Sequence, residues 1–135
     1  MKEGGLDMNV EEEIKHVLQD AKLPCAVAFQ LAEEQGVTPG EIGDLADRLN
    51  IRVSHCQLGL FGYGPKAEGK HKIVKPAPTV SDDVAAAIQG RAAGGQVSCA
   101  DVWAAAEALH LSKLQAAAVV EALGLRVMTC QLHCF

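Results

Sequence analysis

The sequence predicts a mainly helical α+β chain made of two copies of one three-helix-plus-strand unit, residues 9–61 and 83–135, joined by a lysine-rich connector at residues 62–82. Three observations predict it. Sliding the 135-residue chain against itself by 74 residues aligns its two ends without a gap and gives 13 identities over 53 positions. Aromatic residues make up only 4% of the chain against 49% apolar residues, so the core has to be built from Ala, Val, Leu and Ile packed closely across helices. Apolar residues at helical spacing, set between capping signals, account for most of each copy.

The identities are specific. Val10, Ile14, Cys25, Ala26, Ala32, Glu33, Leu49, Arg52, Val53, Cys56, Gln57, Leu58 and Phe61 meet Val84, Ile88, Cys99, Ala100, Ala106, Glu107, Leu123, Arg126, Val127, Cys130, Gln131, Leu132 and Phe135, and aromatic Phe29 meets Trp103. Cysteine is a rare residue, so two of them recurring 31 residues apart in both copies argue for duplication of an ancestral unit. Related units in one chain commonly pack about a pseudo-two-fold axis, reproducing what a symmetric homodimer builds from two chains.

The first helix is expected over residues 9–21, with Asn9 as N-cap, three glutamates in the first turn and Val10, Ile14, Val17 and Leu18 on one stripe. Its counterpart starts at Ser81 or Asp82 and carries Val84 and Ile88. Pro24 and Ser98 open the second helices, which run to Gln35 and Leu109, and Gly36 ends the first of these. Thr38, Pro39 and Glu41 form a capping-box start for the third helix, as do Ser112 and Gln115 in the second copy, where Gly124 stops the run after Leu123. Residues 51–61 and 125–135 read as strands. Period-two counting buries Cys56, Leu58 and Leu60 on one face of the first strand and Cys130, Leu132 and Cys134 on the matching face of the second, with a bend near Ser54 and His55. In the connector, Gly62, Gly64, Pro65 and Gly69 suggest a hairpin loop that returns residues 71–75 to the first strand, and a plain linker is the alternative.

The formal charge of −5 is uneven: the balance is −6 over residues 1–61, +2 over 62–82 and −1 over 83–135. A polyanion would have to meet the connector. No run approaches the ~18 apolar residues that span a bilayer and no signal segment is evident, so no membrane partner is expected and the cytoplasm is the default location. No Ser/His/Asp arrangement or carboxylate pair stands in a catalytic setting, so the chain is read as non-enzymatic. Gly64-Pro65-Lys66 and Gly69-Lys70 lack the spacing of a phosphate-binding loop.

Residues 28–45 resemble a helix-turn-helix: Ala32 lies in the first helix, Gly36 and Val37 at the turn, and Ile42 and Leu45 on the inner face of the second helix. With a helix before it and a strand and lysine loop after it, the unit is similar to a winged helix domain, which makes the chain a tandem, internally duplicated member of that kind. The resemblance implies a transcription regulator that binds DNA through residues 39–49, with Arg48 as a contact, and through the wing, with Lys66, Lys70, Lys72 and Lys75. Glu41, Asp44 and Asp47 on the same helix oppose that reading, the second copy replaces Gly36 by His110, and its third helix is mostly Ala and Val. Such folds also serve as dimerisation and protein-docking modules, so a partner protein or a homodimer is a further expectation.

Cys25 and Cys99 stand at helix starts that favour thiolate, and Cys56 and Cys130 lie on the strands that follow. The four sulfurs are candidate ligands for Zn or an iron-sulfur cluster; the plainer reading makes them small buried residues of an Ala-rich core, and no Cys-x-x-Cys pair is present. His55 and His133 flank the strand cysteines at inequivalent positions, which argues against a shared ligand role. Gln57 and Gln131 recur, and their amides are expected to bond backbone.

Overall fold

A computed structural model describes the backbone of residues 2–64 and 66–134, and the side chains of all of these except residues 2–9 and Lys66. Pro65, Phe135 and the side chains of Asn9 and Lys66 therefore lie outside the described residues. The chain is mixed helix and strand, with six α-helices and very small sheets among the described residues. No helix among the described residues is long and apolar enough to cross a membrane.

The elements recur at the offset of the sequence repeat. Helix α1 spans Lys2–Val17, β1 Leu23–Pro24, α2 Cys25–Gln35, α3 Pro39–Arg48 and β2 Val53–Ser54. After a 3-10 turn at Lys66–Glu68 come α4 Asp82–Gln89, β3 Gln96–Ser98, α5 Cys99–Leu109, α6 Lys113–Ala122 and β4 Arg126–Met128. Both ends of α5 and of α6 lie 74 residues beyond those of α2 and α3. The parallel pairings match in the same way, Leu23 with Val53 and Val97 with Val127. Left-handed backbone recurs too, at Asp20 and Gly94, Ala21 and Gly95, Gly36 and His110, Asn50 and Gly124, His55 and Thr129, and Gly59 and His133. None of these turn residues is identical between the copies, so the path is kept by residue types that suit each turn and by shared core positions such as Val10 and Val84, Ile14 and Ile88, and Ala32 and Ala106.

Local chemistry explains the helix bounds. Gly36 takes φ 68, and the N–H groups of Gly36 and Val37 return to the carbonyls of Glu33 and Ala32, closing α2. Thr38 and Glu41 make a complete capping box at α3, and Ser112 and Gln115 make another at α6. The α1 expectation needs correction: the helix begins at Lys2, so Asn9 is in its interior rather than at its cap, and it stops at Val17 because Asp20 and Ala21 adopt φ 52 and 63.

The strands are much shorter than the pattern suggested. Residues 51–61 and 125–135 contribute only β2 and β4, each paired in parallel with the residues just before the second helix of its copy. His55 at φ 50 and Thr129 at φ 63 turn the chain out of the ladder at the place where the apolar parity reversed. Beyond it, Cys56, Leu58, Cys130 and Leu132 are buried outside any strand, Leu58 and Leu132 within turns, while Leu60 is half-buried and Cys134 exposed. Among the described residues, 71–75 form no strand, but the segment does return to the end of the first copy: the Tyr63 N–H donates to the His71 carbonyl, and Ile73 and Val74 both donate to the Gly59 carbonyl.

By contacts the chain divides into two compact units. The first holds residues up to Cys56 together with Leu132–Cys134, and the second holds Gln57–Gln131. Val10, Ile14, Leu31, Ile42 and Leu45 fill the first, each 4% exposed or less. Ile88, Val97, Val102, Ala116 and Val120 fill the second, with Leu58 from the end of the first sequence copy. The connector belongs to the second unit, where Lys72 bonds Glu121 and the Ala77 N–H donates to the Ala118 carbonyl of α6.

Candidate functional site

In the first unit, α3 buries Ile42, Leu45 and Ala46 and turns Glu41, Asp44, Asp47 and Arg48 to solvent. Arg48 is thus the one cation on a face that carries three carboxylates. The Glu41 carboxyl is held below its ordinary value, chiefly by the Thr38 backbone N–H that donates to it at 3.0 Å and further by the Thr38 hydroxyl. Glu41 is therefore firmly an anion at neutral pH, and α3 offers a phosphate backbone net repulsion.

The lysines expected in a wing are in the second unit. Lys70 reaches Glu68 at 3.1 Å, Lys72 reaches Glu121 at 3.1 Å, and Lys75 is exposed. Two of the cations are thus partly neutralised locally, and the segment bearing them is packed on α6 within its own unit.

Cys25, Cys56, Cys99 and Cys130 are buried to the same degree, 7 to 8% exposed. Among the described residues no three His, Cys, Asp or Glu side chains come together in a way that would hold a metal ion. Cys25 and Cys56 belong to the first unit, and Cys99 and Cys130 to the second. Cys99 donates its backbone N–H to the Thr129 carbonyl and its Sγ accepts from Gln131 Nε2 at 3.4 Å, contacts that fix it in place.

The second unit holds a cleft of about 810 Å³ beside α5 and α6. Trp103 and Lys113 form one wall, the ammonium 4.4 Å from the ring centroid. Leu111 and Leu114 supply apolar surface, Leu114 being 41% exposed, and Ser112 and Glu107 add polar groups. Both repeated glutamines, Gln57 and Gln131, line this cleft. The glutamines are legible in the sequence as a repeat whose amides are expected to bond backbone, and the Nε2 of Gln131 donates to Cys99 Sγ. The pairing of Trp103 with Lys113 is ten residues apart on two helices and gave no periodic signal.

Comparison with known protein families, with characterised proteins and with solved structures finds no match to this chain.

Proposed function

We propose that this protein is a non-enzymatic regulatory adaptor, a tandem of duplicated winged-helix-like units that docks onto another protein rather than reading DNA. The observation that carries the reading is the second-unit cleft, where an indole face, an exposed leucine and two carboxamides converge. Beside the bond to Cys99 Sγ, the Gln131 carboxamide retains an oxygen acceptor and a second N–H, a pair of the kind an extended peptide backbone demands. Trp103 and Leu114 then take one apolar side chain of that peptide, as buried aromatic and aliphatic anchors do at interfaces. The occupant is accordingly an extended segment of a partner protein with a single apolar anchor.

The acidic face of α3 supports the same choice, since a recognition helix lying in the major groove needs cations where Glu41, Asp44 and Asp47 stand. A photo-reactive residue at position 114 is expected to capture a discrete partner. That partner, purified, should bind the wild-type chain and lose about tenfold or more in affinity, ~1.4 kcal/mol, on Leu114→Glu.

DNA binding is the second reading, favoured by the exposed Lys70, Lys72 and Lys75. It predicts duplex binding that falls steeply with salt and flattens when the three lysines become Ala. That result, with no effect of Leu114→Glu on any partner, would overturn protein docking.

A further inference from the structure

The residues after β4 complete a unit that they do not belong to by sequence. Leu132, 1% exposed, is part of the first unit, and its carbonyl lies so close over α3 that any Cβ at Gly43 would collide with it. The His133 ring covers Gly40, and its Nδ1 contacts Asp44 Oδ1 at 3.0 Å. The seat on α3 is thus two glycines one turn apart, a groove shallow enough for main chain to lie in, closed by a carboxylate. The peptide that fills it departs through Thr129, a β-branched residue at φ 63, and has His133 itself at φ 62. Left-handed backbone costs an L-residue energy, most of all a β-branched one, so the arm is held under local strain that seating has to offset.

We propose that this arm is exchangeable: residues 132–134 of one molecule seat on α3 of a second copy of the chain, which returns its own arm, giving a reciprocal dimer. The occupant is a second copy because seat and arm are carried by the same polypeptide, so every contact made within one molecule is available between two at no cost in complementarity. A strained connection next to an element that docks through a few specific contacts is the circumstance in which such exchange comes cheaply. The proposal concerns α3 of the first unit and stands independently of any ligand in the second-unit cleft.

The test uses full-length chains that carry Cys134→Ser to remove the neighbouring thiol. Asp44→Cys is made in one preparation and His133→Cys in another, both at positions more than half exposed, 61% and 57%, and each variant is checked for the wild-type circular dichroism spectrum before mixing. The two are mixed in a glutathione redox buffer, and disulfide-linked peptides are identified by mass spectrometry. Exchange gives a heterodimer linked through positions 44 and 133, with a yield that rises several-fold with concentration. Absence of that linkage from the mixture, while a single chain carrying both substitutions closes its own 44–133 disulfide, overturns the proposal. So does a linkage no more frequent than the one obtained when Glu34→Cys, exposed on α2, replaces Asp44→Cys, because that is the rate of random collision.

Discussion

Thr129 and His55 occupy equivalent turns, at φ 63 and φ 50, and Thr129 is exposed, so little packing is lost if its side chain goes. Glycine there removes the left-handed penalty, roughly 1–2 kcal/mol, against an unfolded-state entropy cost of roughly 0.5–1 kcal/mol. Thr129→Gly is therefore expected to raise the unfolding free energy by about 0.5 kcal/mol, read from urea denaturation, where most substitutions lower it. A loss of stability would mean that the threonine makes contacts outweighing its strain. This turn was only half legible in the sequence. The reversal of apolar parity at Ser54 and His55 announced that the chain bends, but Thr129 is the last residue type that turn chemistry would nominate for a positive φ. Gly43 is the opposite case. Its neighbour in space, Leu132, is 89 residues away, and no local pattern explains why the first copy needs glycine where the second has Ala117.

At the scale of elements, the helix starts were the most legible features because their signals are local. Thr38, Pro39 and Glu41 specify the start of α3 within four residues, and Ser112 with Gln115 does the same for α6. The two boxes differ in one respect that has a measurable consequence: Glu41 titrates and Gln115 does not. Because the folded-state carboxyl of Glu41 is depressed, its contribution is fully present above the ordinary Glu value and is lost as pH falls through the lower folded value. The protection of the Thr38 amide against exchange, corrected for the intrinsic rate at each pH, should fall on acidification below the ordinary Glu range by more than that of Ser112. Parallel behaviour of the two amides would show that the carboxylate adds nothing to the cap. The strands were misread for a physical reason. Burial at Cys56 and Leu58, and at Cys130 and Leu132, alternates as it does in a strand, yet it arises outside any strand, from side chains that drop alternately into a core. Period two reports which side is dry; it does not report hydrogen-bond partners, and those of Ile73 and Val74 go to a single carbonyl at Gly59.

For the whole molecule, the units defined by contact do not coincide with the copies defined by sequence. Leu58, in the first copy, is buried in the second unit, and Leu132, in the second copy, is buried in the first. Leu132→Ala should therefore cost roughly 2–4 kcal/mol, as truncation of a buried leucine does. By hydrogen exchange that loss is expected in α2 and α3, which lie far from it in the chain, with α5 and α6 less affected. Loss confined to α5 and α6 would place the leucine in the other unit. The repeat itself was plain from the amino-acid order, since matching sulfurs and glutamines survive in both halves; the crossing-over of segments was not, because the arm motif Cys-Gln-Leu is the same in both copies and does not name the unit it packs in.

The single tryptophan of the chain is Trp103, held under the Lys113 ammonium in the second unit. Intrinsic fluorescence thus reports on that half alone and leaves the other spectroscopically dark. An emission melt superimposable on the far-ultraviolet dichroism melt would mean that the halves come apart as one cooperative body, whereas two separated midpoints would give each half a stability of its own.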